Sequence, residues 1–133
     1  MNREKFDASR LYGIGGEPHT LRHSRLRDVL LWGLRRRRRL RVVGRSMLPL
    51  LRPGEEVLID PSAYRGVPPL PGDIVVAQQP QKTGLHIIKW VVWVEADGRC
   101  YLKGLNLAES TDSRSFGLVR AEAILGRVVC RFP

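Results

Sequence analysis

From residue 40 onward, apolar residues alternate with polar ones or cluster in short β-branched runs: RLRVV, EEVLID, DIVVA, LHIIKWVVWV, RCYLK and AILGRVVCRF. A period of two bounded by turn residues predicts strands, since successive side chains then point to opposite faces. Two of these runs share a preface, with Pro53-Gly54 before EEVLI and Pro71-Gly72 before DIVVA. Proline fixes the first turn residue and glycine tolerates positive φ at the second, so each pair predicts a type II turn feeding a strand. Between them the proline-rich PSAYRGVPPLP predicts a stiff connection. The expected architecture is mainly β, built of short antiparallel strands over residues 40–133.

The N-terminal third follows another pattern. Residues 1–19, which include YGIGGEPH, read as a loose or disordered arm, and GIGG is too short and too isolated for a phosphate loop. Over residues 20–34, Leu26, Leu30 and Leu34 recur every fourth position with Val29 beside them, which predicts a helix. Arg35, Arg36, Arg37, Arg38 and Arg39 then form an unbroken cationic run. It reads as a solvated, self-repelling linker, with contact to an anionic membrane or to nucleic acid as the binding alternatives. No aromatic residue is interleaved to stack on bases.

Charge sharpens the division: residues 1–45 carry 13 Lys/Arg against 4 Asp/Glu, and the remainder 10 against 9. The basicity therefore belongs to the N-terminal segment and not to the β domain. Cys100 and Cys130 have no metal-ligand or redox spacing, and read as small buried hydrophobes of a reducing compartment, although spacing does not decide whether they pair. His19, His23 and His86 read as surface or packing residues. No apolar run approaches the roughly 20 residues of a membrane-spanning helix, and Glu4, Asp7, Glu17 and Asp28 interrupt any signal-peptide pattern. The expected compartment is the cytoplasm.

One residue is out of keeping with its surroundings. Lys89 stands in HIIKWVVW, and a strand there groups it with Ile87, Val91 and Trp93 on one face, opposite His86, Ile88, Trp90 and Val92. Burial among apolar groups lowers a lysine pKa, and a neutral amine is a general base. A partner that needs such a base lies in GRSMLPLLRPG, where Ser46 follows a predicted strand on a turn that Pro49 constrains. A Ser–Lys dyad is a known form of nucleophilic catalysis. The alternative is a turn serine and a lysine that reaches solvent.

Four segments then take on a common meaning. GRSMLPLLRPGEEVLI resembles the Ser-Met-x-Pro box of the type I signal peptidases, a clan that includes the LexA-like repressors. PPLPGDIVVA is similar to the Gly-Asp strand box, GLHIIKWVV to the lysine box, and KGLNLAESTDSRSFG to the Gly-Asp-Asn…Ser-x-Asp-Ser-Arg box, all in the family's order. The resemblance implies a signal peptidase/LexA-like β-fold with Ser46 as nucleophile and Lys89 as general base. It also implies Ser110 as the residue that orients the lysine, Asp112 and Arg114 as a structural ion pair, and the Ser46 N–H as oxyanion donor.

Gly44 stands where some relatives carry a hydroxyl that helps the oxyanion, and Leu105 replaces the aspartate of the last box, leaving Gly104 and Asn106 as a turn. Met47, Pro49, Val57, Ile59, Ile74 and Val76 are the expected substrate-lining residues. No metal or cofactor is implied. The compact boxes look most like those of the nickel-type superoxide dismutase maturation proteases, of cyanobacterial type. That likeness implies a soluble endopeptidase whose protein substrate is the precursor of a nickel superoxide dismutase. A signal peptidase-like enzyme working at a membrane surface and a non-proteolytic, nucleic-acid-associated regulator are the alternatives.

Overall fold

The computed structural model describes residues 17–133. All six expected strands form: β1 (Arg38–Arg41), β2 (Glu56–Asp60), β3 (Ile74–Gln78), β4 (His86–Val94), β5 (Cys100–Lys103) and β6 (Ile124–Phe132). They make one sheet in the order β1-β2-β6-β3-β4-β5, and every pairing is antiparallel. The expectation of a mainly β fold with short antiparallel strands holds. The sheet buries both faces. One packs Val42, Met47, Leu51, Val57, Ile59, Ile74, Val76 and Val128, and the other Val75, Ala77, Val91, Cys100, Leu102, Val119 and Ile124. This explains why β3 reads as a continuous apolar run and not as an alternating one.

The turn glycines behave as their chemistry requires. Gly54 and Gly72 have φ of 91° and 97°, each entering a strand. At Gly72 a Cβ would stand 2.8 Å from the Glu17 carbonyl oxygen, so the close approach of residues 17–19 also demands glycine. After this turn Asp73 is buried, where its carboxylate accepts from Tyr64 Oη at 2.7 Å and Leu70 N at 3.0 Å.

The N-terminal expectations need correction. The helix α1 spans only Leu26–Gly33, not residues 20–34. Residues before it are drawn out because the Arg131 N–H donates to Arg22 O at 2.9 Å and His23 bridges Arg131. Asp28 fixes the start: its carboxylate accepts the Arg25 N–H at 2.7 Å and holds the Arg22 guanidinium through both oxygens. The arginine run is only partly a linker. Arg35 turns the chain at φ 62°, whereas Arg38 and Arg39 already belong to β1. Arg39 pairs with Glu56 at 2.8 Å and lies over the rings of Trp32 and Phe132, and Arg37 stands 3.6 Å from Asp60. Carboxylates on β2 thus neutralise charges that the sequence shows only as mutual repulsion. Most of the expected arm, residues 1–16 with GIGG, lies outside the described residues. Cys100 and Cys130 are both free and buried.

Candidate active site

Ser46 sits in the loop between β1 and β2, where buried Met47 and Leu51 anchor the chain in the first core cluster. Gly44 precedes it at φ 82°, a left-handed conformation that re-aims the chain as it leaves β1. Lys89 comes from the middle of β4, paired with Val75 of β3. It is 4% exposed, and its Nζ donates to Ser46 Oγ at 2.8 Å. Residues 43 positions apart are therefore within reach of direct proton transfer. Burial pushes the Lys89 ammonium below its ordinary pKa, and the nearby Asp112 carboxylate opposes that shift only in part.

A second loop holds the serine in place. The Asn106 N–H donates to Ser46 O at 2.8 Å, and Asn106 Nδ2 donates to Arg45 O at 3.1 Å. Arg45 in turn pairs with Glu109 at 3.2 Å. Gly104 makes this approach feasible, since a Cβ there would come within 2.7 Å of both Ser46 O and Ser110 Cβ. Sequence reading treats Gly104 and Asn106 as a bare turn and misses their role as the clamp on the serine loop. The signal available is their common position at the exit of a strand.

Asp112 organises the rest of that loop. Its side chain is 1% exposed and uses both oxygens: Oδ2 accepts from Ser110 Oγ at 2.7 Å and Gly104 N at 3.0 Å, while Oδ1 accepts from Arg114 Nε at 2.8 Å and Arg114 N at 3.1 Å. Burial pushes the carboxyl pKa up, but the hydrogen bonds from Arg114, Gly104 and Ser110 outweigh it and hold the group ionised. The expected Asp112–Arg114 ion pair is present, and Arg114 also donates to Leu107 O at 2.8 Å. Ser110 departs from expectation: its hydroxyl donates to Asp112, not to the Lys89 amine.

A cleft of about 260 Å³ opens beside the dyad, lined on one side by residues 40–44 and on the other by residues 85–89, with Ser46 and Met47 at its base. Both walls offer unpaired strand edges. β1 pairs only with β2, and β5 begins its pairing with β4 at Trp90, leaving residues 86–89 free on that side. Of the expected lining residues, Met47 belongs to this cleft. Val57, Ile59, Ile74 and Val76 do not, because these strand positions face the first core cluster and are at most 6% exposed. Pro49 is exposed and outside the cleft. A larger cavity, about 510 Å³, lies elsewhere, between residues 19–37 and β6, and touches neither Ser46 nor Lys89.

Comparison with known proteins agrees with this arrangement. Residues 37–97 match the family described as signal peptidase, peptidase S26. The chain is 34% identical over 107 residues to mitochondrial inner membrane protease subunit 1 of Xenopus tropicalis, covering 66% of this chain and 64% of that protein. It is 34% identical over 110 residues to the mitochondrial ATP-independent inner membrane protease subunit 1b of Arabidopsis thaliana, covering 66% and 65%. To the inner membrane protease subunit 1 of Schizosaccharomyces pombe it is 31% identical over 107 residues, covering 66% and 68%. The chain thus spans slightly less than two thirds of the frog and Arabidopsis relatives. No solved structure matches. Among the described residues, no helix is long and apolar enough to cross a membrane.

Proposed function

Because this chain belongs to the signal peptidase family, peptidase S26, we propose that it is a serine endopeptidase that removes an N-terminal segment from a protein precursor. The observation that carries the reading is the 2.8 Å hydrogen-bond contact between the amine of a buried lysine and the hydroxyl of a half-buried serine at the floor of an open cleft. Neutral Lys89 takes the Ser46 proton as Oγ attacks the scissile carbonyl carbon. The Ser46 N–H stabilises the oxyanion. Lys89 then returns the proton to the departing amine, and the same amine activates the water that hydrolyses the acyl-enzyme. The substrate lies extended between the free edges of β1 and β4, where main-chain hydrogen bonds hold it and side chains alternate into the cleft.

The substrate proposed is the precursor of a nickel-dependent superoxide dismutase, whose new amino terminus would be released by the cut. The compact boxes GLHIIKW, KGLN and ESTDSRSFG support this choice. The relatives named as inner membrane proteases favour a second reading, a signal peptidase-like enzyme acting at a membrane surface.

Incubation with a nickel dismutase precursor, followed by intact mass and run beside Ser46→Ala and Lys89→Ala, separates the readings. One cut at the propeptide boundary, lost in both variants, supports dyad and substrate together. Cleavage of a signal-peptide substrate with the dismutase precursor left whole keeps the chemistry and removes the substrate. Failure to cut either removes the protease reading.

A further inference from the structure

Helix α1 turns its apolar stripe outward. Leu26, Val29, Leu30 and Leu34 are 74, 37, 58 and 69% exposed, while the side facing the sheet carries Asp28, Leu31 and Trp32, with Trp32 packed on Phe132. An amphipathic helix normally buries its apolar stripe against the core. Here the sheet takes the other side, and four neighbouring aliphatic side chains remain without a partner among the described residues. Contiguous exposed apolar surface of this kind marks an interaction face.

The border of that face is cationic. Residues 20–41 hold nine arginines and one acidic residue, Asp28, which is buried and engaged by the Arg22 guanidinium, while Arg37, Arg39 and Arg41 pair with Asp60 and Glu56 of β2. Arg25, Arg27, Arg35 and Arg36 are exposed around the leucines. Next to the helix, Arg25, Arg27, Arg37 and Arg127 line the cavity of about 510 Å³ together with the carboxylates of Asp28 and Asp73. There Arg37 Nε is buried without an acceptor among the described residues.

We propose that α1 docks this protein on an anionic phospholipid bilayer, lying in the plane of the interface. The leucine face enters the acyl boundary and the surrounding arginines bind headgroup phosphates. Charge decides against the other occupants. A second copy would bring the same unneutralised arginines into the contact, and nucleic acid would meet the arginines but leave the leucines in water. The inference rests on this surface alone and holds whatever Ser46 and Lys89 do.

Flotation of the full chain with phosphatidylcholine vesicles, with and without phosphatidylglycerol, tests it. Binding is expected only to the anionic vesicles. Leu26→Ser combined with Leu30→Ser should lower the partition coefficient by about tenfold or more. Each of Arg27→Gln and Arg36→Gln should lower it about fivefold at low salt. Thermal unfolding should be unchanged, because these side chains are exposed. No binding to anionic vesicles overturns the proposal, as does salt-sensitive binding that survives the double leucine variant. A concentration-dependent dimer in light scattering that the leucine variant abolishes would overturn it in favour of self-association.

Discussion

The Nζ of Lys89 lies 2.8 Å from Oγ of Ser46, and the amine that makes this contact is held in an apolar site that disfavours its charge. Replacing either partner should therefore remove activity by about 10³-fold or more without unfolding the chain. Stability should separate the two variants. Lys89 has a folded-state pKa below its ordinary 10.5, so its cost to folding is present at neutral and lower pH. That cost declines as pH rises from the folded value towards 10.5. Lys89→Met should stabilise the fold by about 1 kcal/mol at neutral pH, with the gap closing in alkaline buffer, whereas Ser46→Ala should show no such trend. Urea titrations across pH measure this.

Asp112 acts on the same amine through its charge. Its carboxylate is the group that raises the Lys89 pKa against the effect of burial. Asp112→Asn removes the charge but keeps the shape, so Lys89 should lose its proton more readily. The acidic limb of the pH profile of kcat/KM should then move to lower pH. The maximal rate should fall at the same time, because Arg114 loses its ionic partner and the loop that carries Ser110 is less firmly held. A reduced rate on an unmoved limb would reduce Asp112 to a scaffold.

Gly104 is the point where the clamp loop passes the serine loop. A methyl group there meets the Ser46 carbonyl oxygen at 2.7 Å, and that oxygen belongs to backbone already bonded to Asn106. It cannot yield without moving the nucleophile. Gly104→Ala should lower kcat by about 10²-fold, since displacements on the order of 1 Å are costly in a positioned site. It should also destabilise the fold by about 1–3 kcal/mol as an overpacked position. Single-turnover kinetics and thermal unfolding check the two effects separately.

The strands were legible because their signals are local: each run has period two or continuous β-branched character between turn residues. The unusual Lys89 was legible for the same reason, as a charge set among apolar neighbours. Its pairing with Ser46 was harder to see, since spacing alone favoured a turn serine and a solvent-reaching lysine, and only the ordered boxes turned the reading to the dyad. What failed to show were relationships between distant segments. Val57, Ile59, Ile74 and Val76 lie on strands near the site, but which face of a strand turns to the core is decided by the sheet and not by the strand. The arginine run read as self-repelling because Glu56 and Asp60 come from another strand. The leucines of α1 gave its helical period without indicating that Trp32 and Asp28 would take the inner side.

Tyr64 and Asp73 provide a test of the scaffold apart from the chemistry. The phenol donates to the buried carboxylate at 2.7 Å, at the turn that opens β3. Gly72 and Asp73 exchange backbone hydrogen bonds with Val91, two residues beyond Lys89 on β4. Tyr64→Phe leaves that carboxylate with the Leu70 N–H but without its hydroxyl donor, and should destabilise the fold by about 1–2 kcal/mol. Burial and the Asp73 charge raise the phenol pKa far above its ordinary 10.0. The hydroxyl's contribution is therefore complete below pH 10.0 and fades as the pH rises above it, because the unfolded phenol then ionises while the folded one does not. The difference between Tyr64→Phe and the parent protein should accordingly shrink in strongly alkaline buffer. At neutral pH kcat should stay within about twofold, since the phenyl ring of the variant fills the same apolar volume and the register of β3 with β4 is still fixed by the Val91 bonds. A large loss of kcat with unchanged stability would instead mean that the Asp73 turn positions Lys89 directly.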